Sequence, residues 1–270
     1  MTYTNINGKI IPSSEAAIPV DNGAFRYGYG LFETMLVQDG AIKLGQYHWE
    51  RLFAGLKQLY FEITALMTAE RLEQEVLKLV KKNKLEHLCR VRLQVYAGGG
   101  GLYGDGAQHA AYVIECFPLE SDTLILNENG LVVGIAEGIR KSADGYSNLK
   151  SCNAMVYAIG ARQAKANQWN DALICNNSGN IIESTIANIF WIKNEEIFTP
   201  SLEDGCVAGV MRRHVMDMMK EVTCTKLSKE ILLQADEVFL TNAIKKVRWV
   251  GTFENRKYSN KMTTKINNLL

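Results

Sequence analysis

The stretch Asn148–Trp191, NLKSCNAMVYAIGARQAKANQWNDALICNNSGNIIESTIANIFW, changes its periodicity within a short span, and those changes decide the fold class. Ser151 to Asn167 sets apolar residues at helical spacing, which predicts a long helix with Lys150 immediately before it. The polar cluster Asn176–Asn180 predicts a tight turn joining two apolar strands, the second being Ile181–Glu183. A further strand, Ile189–Ile192, ends at Asn194-Glu195, another turn pair.

The same grammar holds outward in both directions. Towards the N-terminus, Asn7-Gly8 pivots a hairpin over Thr2–Ile11, and Asp39-Gly40 separates strands Leu31–Val37 and Ala41–Leu44. His48–Leu59 and Thr68–Lys82 read as amphipathic helices, and Cys89–Ala97 and His109–Phe117 as strands flanking GGGGLYGDG. Towards the C-terminus come a strand at Gly130–Ala136, a helix at about Val210–Glu221, and a mixed segment from Leu227. Hairpins in both halves point to an α+β protein rather than a doubly wound parallel sheet. The character shifts around Pro118–Thr123, which divides the chain into 1–117, a linker at 118–123, and 124–270.

Several function classes fall away on composition. Thirty Lys+Arg against twenty-nine Asp+Glu leave a net charge of +1, without the clustered cationic excess that nucleic acid or an anionic membrane requires. The six cysteines form no Cys-x-x-Cys pair, so a zinc ribbon or a dithiol redox motif is not expected. His48, His87, His109 and His214 lack metal-ligand spacing, and no GxSxG nucleophile elbow occurs. No leader-like N-terminus or membrane-length apolar run is present, and a cytoplasmic protein with reduced thiols is expected. Gly98–Gly101 lacks the GKS/T ending of a phosphate loop; a mobile loop near a substrate entrance and a plain connection both fit it.

What remains is an amine, an acid and a cradle for an anion. A lysine gains nothing from the positive end of a helix dipole, so Lys150 at a helix start needs another reason. One reason is a lowered amine pKa that makes it a Schiff-base nucleophile; the plainer one is a surface lysine. Glu183 lies in the apolar run GNIIESTIANIFW, so its carboxylate requires a partner. A protonated pyridine nitrogen would serve, as would a scaffold Lys or Arg. Gly205 and Gly209 precede the helix at Val210, whose first amides, those of Val210 and Met211, form an anion site. Arg51 in HWERL could clamp the same anion, or simply be a solvated helix residue. These are the components of a pyridoxal phosphate site.

The chain resembles the class IV aminotransferases, the fold type IV pyridoxal phosphate enzymes that include branched-chain and D-amino-acid aminotransferases and aminodeoxychorismate lyases. The resemblance runs through DNGAFRYGYGLFET, HWERL, NLKSCN, SGNIIESTIANIFW, EDGCVAGVMRRH and LQADEVFLTNAIKKV, nearly the whole length. It implies a two-domain α+β fold like that of D-amino-acid aminotransferase. It assigns Lys150 to the cofactor Schiff base and to catalysis, and Glu183 to the pyridine nitrogen. The phosphate falls to Arg51, Val210, Met211, and Asn242 or Ala243. Tyr27 and Arg92 match substrate-pocket positions of branched-chain enzymes. A cytoplasmic homodimer without metal, acting on an amino acid and a 2-oxo acid, is implied as well.

The departures from the family pattern concern the anchoring of the phosphate and the choice of reaction. YGYG stands for the frequent YGDG or FGDG, GVMR for GVTR or GITR, and Ala243 for a threonine, so two hydroxyls are lost. At about 1 kcal/mol each, such losses weaken phosphate anchoring without preventing it. Arg92 and Tyr27 resemble the branched-chain branch. Ala97, where D-amino-acid enzymes and lyases tend to carry arginine, separates the chain from those branches. GVMR, LLQADE and LTNAIKKV look more like the lyases. The expectation is transamination of a branched-chain-like amino acid, with cleavage of aminodeoxychorismate to 4-aminobenzoate and pyruvate as the alternative. A catalytically silent binding protein on the same scaffold is a third reading, motivated by the altered motifs.

Overall fold

The computed structural model describes residues 1–65, 67–99, 109–219 and 221–270. Most of GGGGLYGDG lies outside the described residues. The chain divides into two compact units, residues 1–123 with 150–153, and residues 124–149 with 154–270.

The first unit is a six-stranded sheet with helices. Strands β1 (Tyr3–Ile6) and β2 (Lys9–Pro12) form the expected hairpin, with Asn7 and Gly8 at φ 52° and 87° as a tight two-residue turn demands. Helix α1 (Gly23–Tyr27) is capped by the Asn22 side chain accepting from the Phe25 amide, and ends at Gly28. There φ is 65° and an added Cβ would lie 2.3 Å from Asn153 Oδ1, so both conformation and space require glycine. Strands β3 (Gly30–Gln38) and β4 (Ala41–Ile42) close on Asp39-Gly40, followed by α2 (Gly45–Gln58) and α3 (Ala69–Lys82). Thr68 is the α3 cap, accepting from the Arg71 amide, rather than its first helical residue. Strands β5 (Leu88–Ala97) and β6 (Ala110–Pro118) complete the order β2-β1-β6-β5-β3-β4.

Alternation sorts the β3 and β5 side chains into two faces. Leu31, Glu33, Met35, Val91, Leu93 and Val95 are buried, whereas Phe32, Thr34, Arg92 and Gln94 are half-buried on the opposite face. The segment 150–153 adds to the edge of β3 near its start. Phe32 N donates to Lys150 O at 3.0 Å and Cys152 N to Gly30 O at 2.9 Å, with a bridge between Leu31 and Ser151.

The second unit is a nine-stranded mixed sheet. It comprises β7 (Leu131–Ile135), α4 (Met155–Ala166), β8 (Asp171–Cys175), β9 (Ile181–Ser184), β10 (Asn188–Lys193), β11 (Glu196–Thr199) and α5 (Val210–Met219). It ends with β12 (Val222–Cys224), α6 (Lys229–Gln234), β13 (Glu237–Asn242), β14 (Lys246–Phe253), β15 (Arg256–Lys257) and α7 (Lys261–Leu269). The main strand order is β12-β11-β10-β13-β14-β7-β8-β9, antiparallel except for the parallel pairs β7–β8, β7–β14 and β11–β12. One face packs Ile189, Trp191, Val238, Leu240, Val250 and Phe253 against Leu232 of α6. On the other, Phe190 and Phe239 stack at 4.9 Å. Glu237 caps α7, accepting from the Met262 and Thr263 amides at 2.9 and 2.8 Å. No helix among the described residues is long and apolar enough to cross a membrane.

Helix α4 corrects the expectation of a helix from Ser151. It starts at Met155, because Lys150–Asn153 spends its backbone hydrogen bonds on β3 first. Lys150 is therefore a strand-like residue and does not sit at a helix start. The dipole argument does not apply to it.

Candidate active site

Lys150 is half-buried beside the half-buried face of β3. Its Nζ lies 4.4 Å from the Phe32 ring centroid, and the Arg92 guanidinium carbon lies 3.9 Å from the same ring. Two cations thus share one aromatic platform, each gaining from the ring quadrupole. Arg92 Nη2 also donates to Gln94 Oε1 at 2.9 Å, which fixes the guanidinium, and burial lowers Arg92 from its ordinary value. Cys152 is pushed up to about 11 by burial, against the nearby Arg92 charge, and so stays a thiol at neutral pH. Sequence reasoning identified Lys150 and Arg92 but not Phe32, which brings them together. Tyr27 is the last residue of α1, half-buried. Tyr29, where the family pattern often has an acid, packs its ring 5.2 Å from Phe61 and donates its hydroxyl to Leu59 O.

Arg51 is on a different face. It projects from α2 to buried Glu33, with Nε 2.8 Å from Oε1 and Nη2 2.5 Å from Oε2. His48 Nδ1 lies 2.6 Å from the same Oε2, and the ring is fully buried. Burial alone would raise the Glu33 carboxyl; the Arg51 and His48 charges and hydrogen bonds outweigh it and hold it at about 2. The Glu33 clamp went unseen in the sequence because an acid inside FETML carries no signal of its partners.

In the second unit Glu183 is buried and fully engaged. Oε1 accepts from Lys141 Nζ at 2.7 Å and from the Tyr157 hydroxyl at 2.8 Å. Oε2 accepts from the Val207 amide at 2.8 Å. The scaffold cation allowed for this acid is therefore present, as Lys141. An ionised carboxylate offers about four acceptor positions. Three are used, and one on Oε2 remains for a further donor such as a protonated ring nitrogen. Burial, with the Glu183 charge and hydrogen bond adding to it, pushes the Tyr157 phenol far above its usual range, so it stays protonated as a donor.

Helix α5 supplies the anion end. Val210 and Met211 are buried at its start, where the first amides have no intrahelical acceptor. Gly209 brings the chain so close to β10 that an added Cβ would fall 1.9 Å from Asn188 Oδ1. Asn188 Nδ2 in turn donates to Val207 O at 2.8 Å, tying the approach to α5 onto the sheet. Asn242 uses its side-chain oxygen inside the β13–β14 turn, accepting from the Ile244 and Lys245 amides at 3.0 and 2.8 Å. Ala243 lies in that turn. Beside it in sequence, Thr241 is buried and its hydroxyl has no hydrogen-bond partner. An open acceptor position on Glu183, a glycine-led helix start and an orphaned hydroxyl fit a phosphorylated pyridine.

Such parts could together hold a small anionic molecule. The family model described as Amino-transferase class IV matches residues 30–252, and the chain belongs to that family. The aminodeoxychorismate lyase of Bacillus subtilis (strain 168) is 30% identical over 88% of this chain and 82% of its own length. A putative branched-chain-amino-acid aminotransferase of Methanocaldococcus jannaschii is 28% identical, covering 97% of this chain and 91% of its own. The branched-chain aminotransferase of the archaeon Thermoproteus uzoniensis, solved with norvaline, superposes with a TM-score of 0.89 at 22% identity. The match covers 99% of this chain and 93% of that one. The α+β fold is thus that of the branched-chain aminotransferases.

Proposed function

We propose that the chain is a pyridoxal phosphate-dependent aminotransferase, moving an amino group between a branched-chain-like amino acid and a 2-oxo acid. The observation that carries this reading is the shared platform of Lys150 and Arg92 on Phe32. When bound, pyridoxal phosphate supplies a carbonyl for the substrate amine and a conjugated ring that takes up electrons from a breaking bond at Cα. Lys150 would hold the cofactor, and its amine would take the substrate Cα proton and hand it back. Arg92 binds the substrate carboxylate near that amine. Glu183, held by Lys141 and the Val207 amide, would accept from the ring nitrogen. The α5 amides would bind the phosphate.

Geometry at residue 97 supports Arg92 as the carboxylate reader. Ala97 is buried, and even a Cβ added to Gly23 would come within 2.9 Å of the Ala97 methyl. The Ala97 methyl is therefore closely packed on the side facing Gly23. The second reading, aminodeoxychorismate lyase, is favoured by the Bacillus relative and by GVMR and LTNAIKKV. The same lysine serves both; they differ in whether the proton is returned or a group is expelled.

The test is covalent attachment. Purified protein incubated with pyridoxal phosphate and then borohydride is expected to retain the cofactor after denaturation, and Lys150→Ala is expected to retain none. Attachment that survives in Lys150→Ala would remove this lysine from its role. A native protein that takes up no cofactor would leave the silent scaffold.

A further inference from the structure

Helix α5 begins with Val210 and Met211, which carry no hydroxyl, yet the sheet beneath it has a buried one without a partner among the described residues. Thr241 is 1% exposed and its Oγ1 has no hydrogen-bond partner among the described residues. A hydroxyl taken from water and left unpaired is destabilising, so an orphan in a well-packed sheet calls for an explanation. Nothing in the local fold gives one. β13 pairs along its length with β10 and β14, and Thr241 needs only its backbone for that ladder.

Register supplies the direction. Thr241 stands directly across from Asn188 of β10, and cross-strand partners present their side chains on the same face. That face carries Phe190 and Phe239. Asn188 meets the start of α5 there: its Oδ1 fills the space a Gly209 side chain would take, and its Nδ2 holds Val207 O. Register thus sets Thr241 on the same sheet face as Asn188, the residue that meets the approach to α5. A β-branched side chain in a strand has restricted χ1, so the hydroxyl is held in place before any ligand arrives.

We propose that Thr241 is an anion-binding residue, donating its hydroxyl to the phosphate held at the start of α5. This rests on the functional reading above, since it assigns the anion to the cofactor's phosphate. A hydroxyl with no partner in the free protein breaks no protein hydrogen bond when it donates in the complex, which favours binding.

The test compares the native protein with Thr241→Val, which keeps volume and β-branching, and Thr241→Ser, which keeps the hydroxyl. Each cofactor-free protein is titrated with pyridoxal phosphate and with pyridoxal, and its melting is followed with and without inorganic phosphate. Thr241→Val is expected to melt no lower than the native protein when free. It should bind pyridoxal phosphate about tenfold more weakly and pyridoxal unchanged. Its stabilisation by phosphate should fall, and Thr241→Ser should restore it. Equal losses for both ligands, or none for either, would overturn the assignment, as would a lower melting point with unaltered phosphate preference. If Thr241→Val does not fold, Thr241→Ala is read against the same outcomes. A native protein that ignores pyridoxal phosphate but is stabilised by phosphate through Thr241 would sink the cofactor reading and leave the anion site standing.

Discussion

Glu33 shows burial and pairing in open competition. The carboxyl has lost its water and would be neutral on that ground alone, yet Arg51 grips both its oxygens and His48 adds a third bond. Its value falls from 4.5 to about 2, so the ionised form is favoured in the folded state. The stability it contributes is complete above the unfolded value and drains away as pH drops from about 4.5 towards 2. Glu33→Gln is expected to flatten the acid limb of the stability curve across that window. At neutral pH it should cost on the order of 3 kcal/mol, since it takes the carboxylate away from a half-buried guanidinium and a buried imidazole. Chemical denaturation at a series of pH values measures both, and an unchanged acid limb would show the pairing is not felt. At this scale the sequence was legible for residues carrying a chemical signature in their neighbours. Lys150 and Glu183 stand out in NLKSCN and NIIES. Lys141, Tyr157 and Glu33 do not, because their meaning lies in partners 42, 26 and 18 residues away.

Among the elements, hairpins and amphipathic helices were readable because turn chemistry and periodicity are local. Asn194-Glu195 turns with both residues at positive φ, without glycine, as the polar pair foretold. The start of α4 was not readable. Nothing in SCNA says that these residues will pair with β3 before the helix begins, since the choice depends on a strand more than a hundred residues earlier. The approach to α5 is similar: Gly209 reads as an ordinary loop glycine until Asn188 is seen against it. Gly209→Ala is expected to push the start of α5 off the sheet, costing about 1–3 kcal/mol as overpacking does. It should weaken retention of pyridoxal phosphate more than of pyridoxal. Thermal melts and dialysis of the loaded protein give the two readouts, and equal retention would mean the helix start does not bear on the phosphate.

For the whole molecule, reaction type is the property still divided between two relatives of nearly equal identity, a lyase and a branched-chain aminotransferase. The arginine on Phe32 and the crowding at Ala97 favour transamination. The expected outcome is amino transfer from a branched-chain-like amino acid to a 2-oxo acid, with little 4-aminobenzoate from aminodeoxychorismate. Product analysis on L-amino acids, D-amino acids and aminodeoxychorismate in parallel checks it. Rapid 4-aminobenzoate formation would reverse the order of the two readings. Arg92→Ala should raise KM well above tenfold, the loss of a charge-assisted pair, and leave cofactor uptake intact.

The sequence by itself determined the α+β class, the family motifs and the positions of the amine and the acid, since turns, periodicity and short motifs are written in adjacent residues. The pairing of Lys150 and Arg92 on one ring, the engagement of Glu183 by Lys141, and the orphaned hydroxyl of Thr241 were decided only by the tertiary structure. Hydrogen bonds and burial are properties of surroundings, and surroundings exist only once distant segments have met.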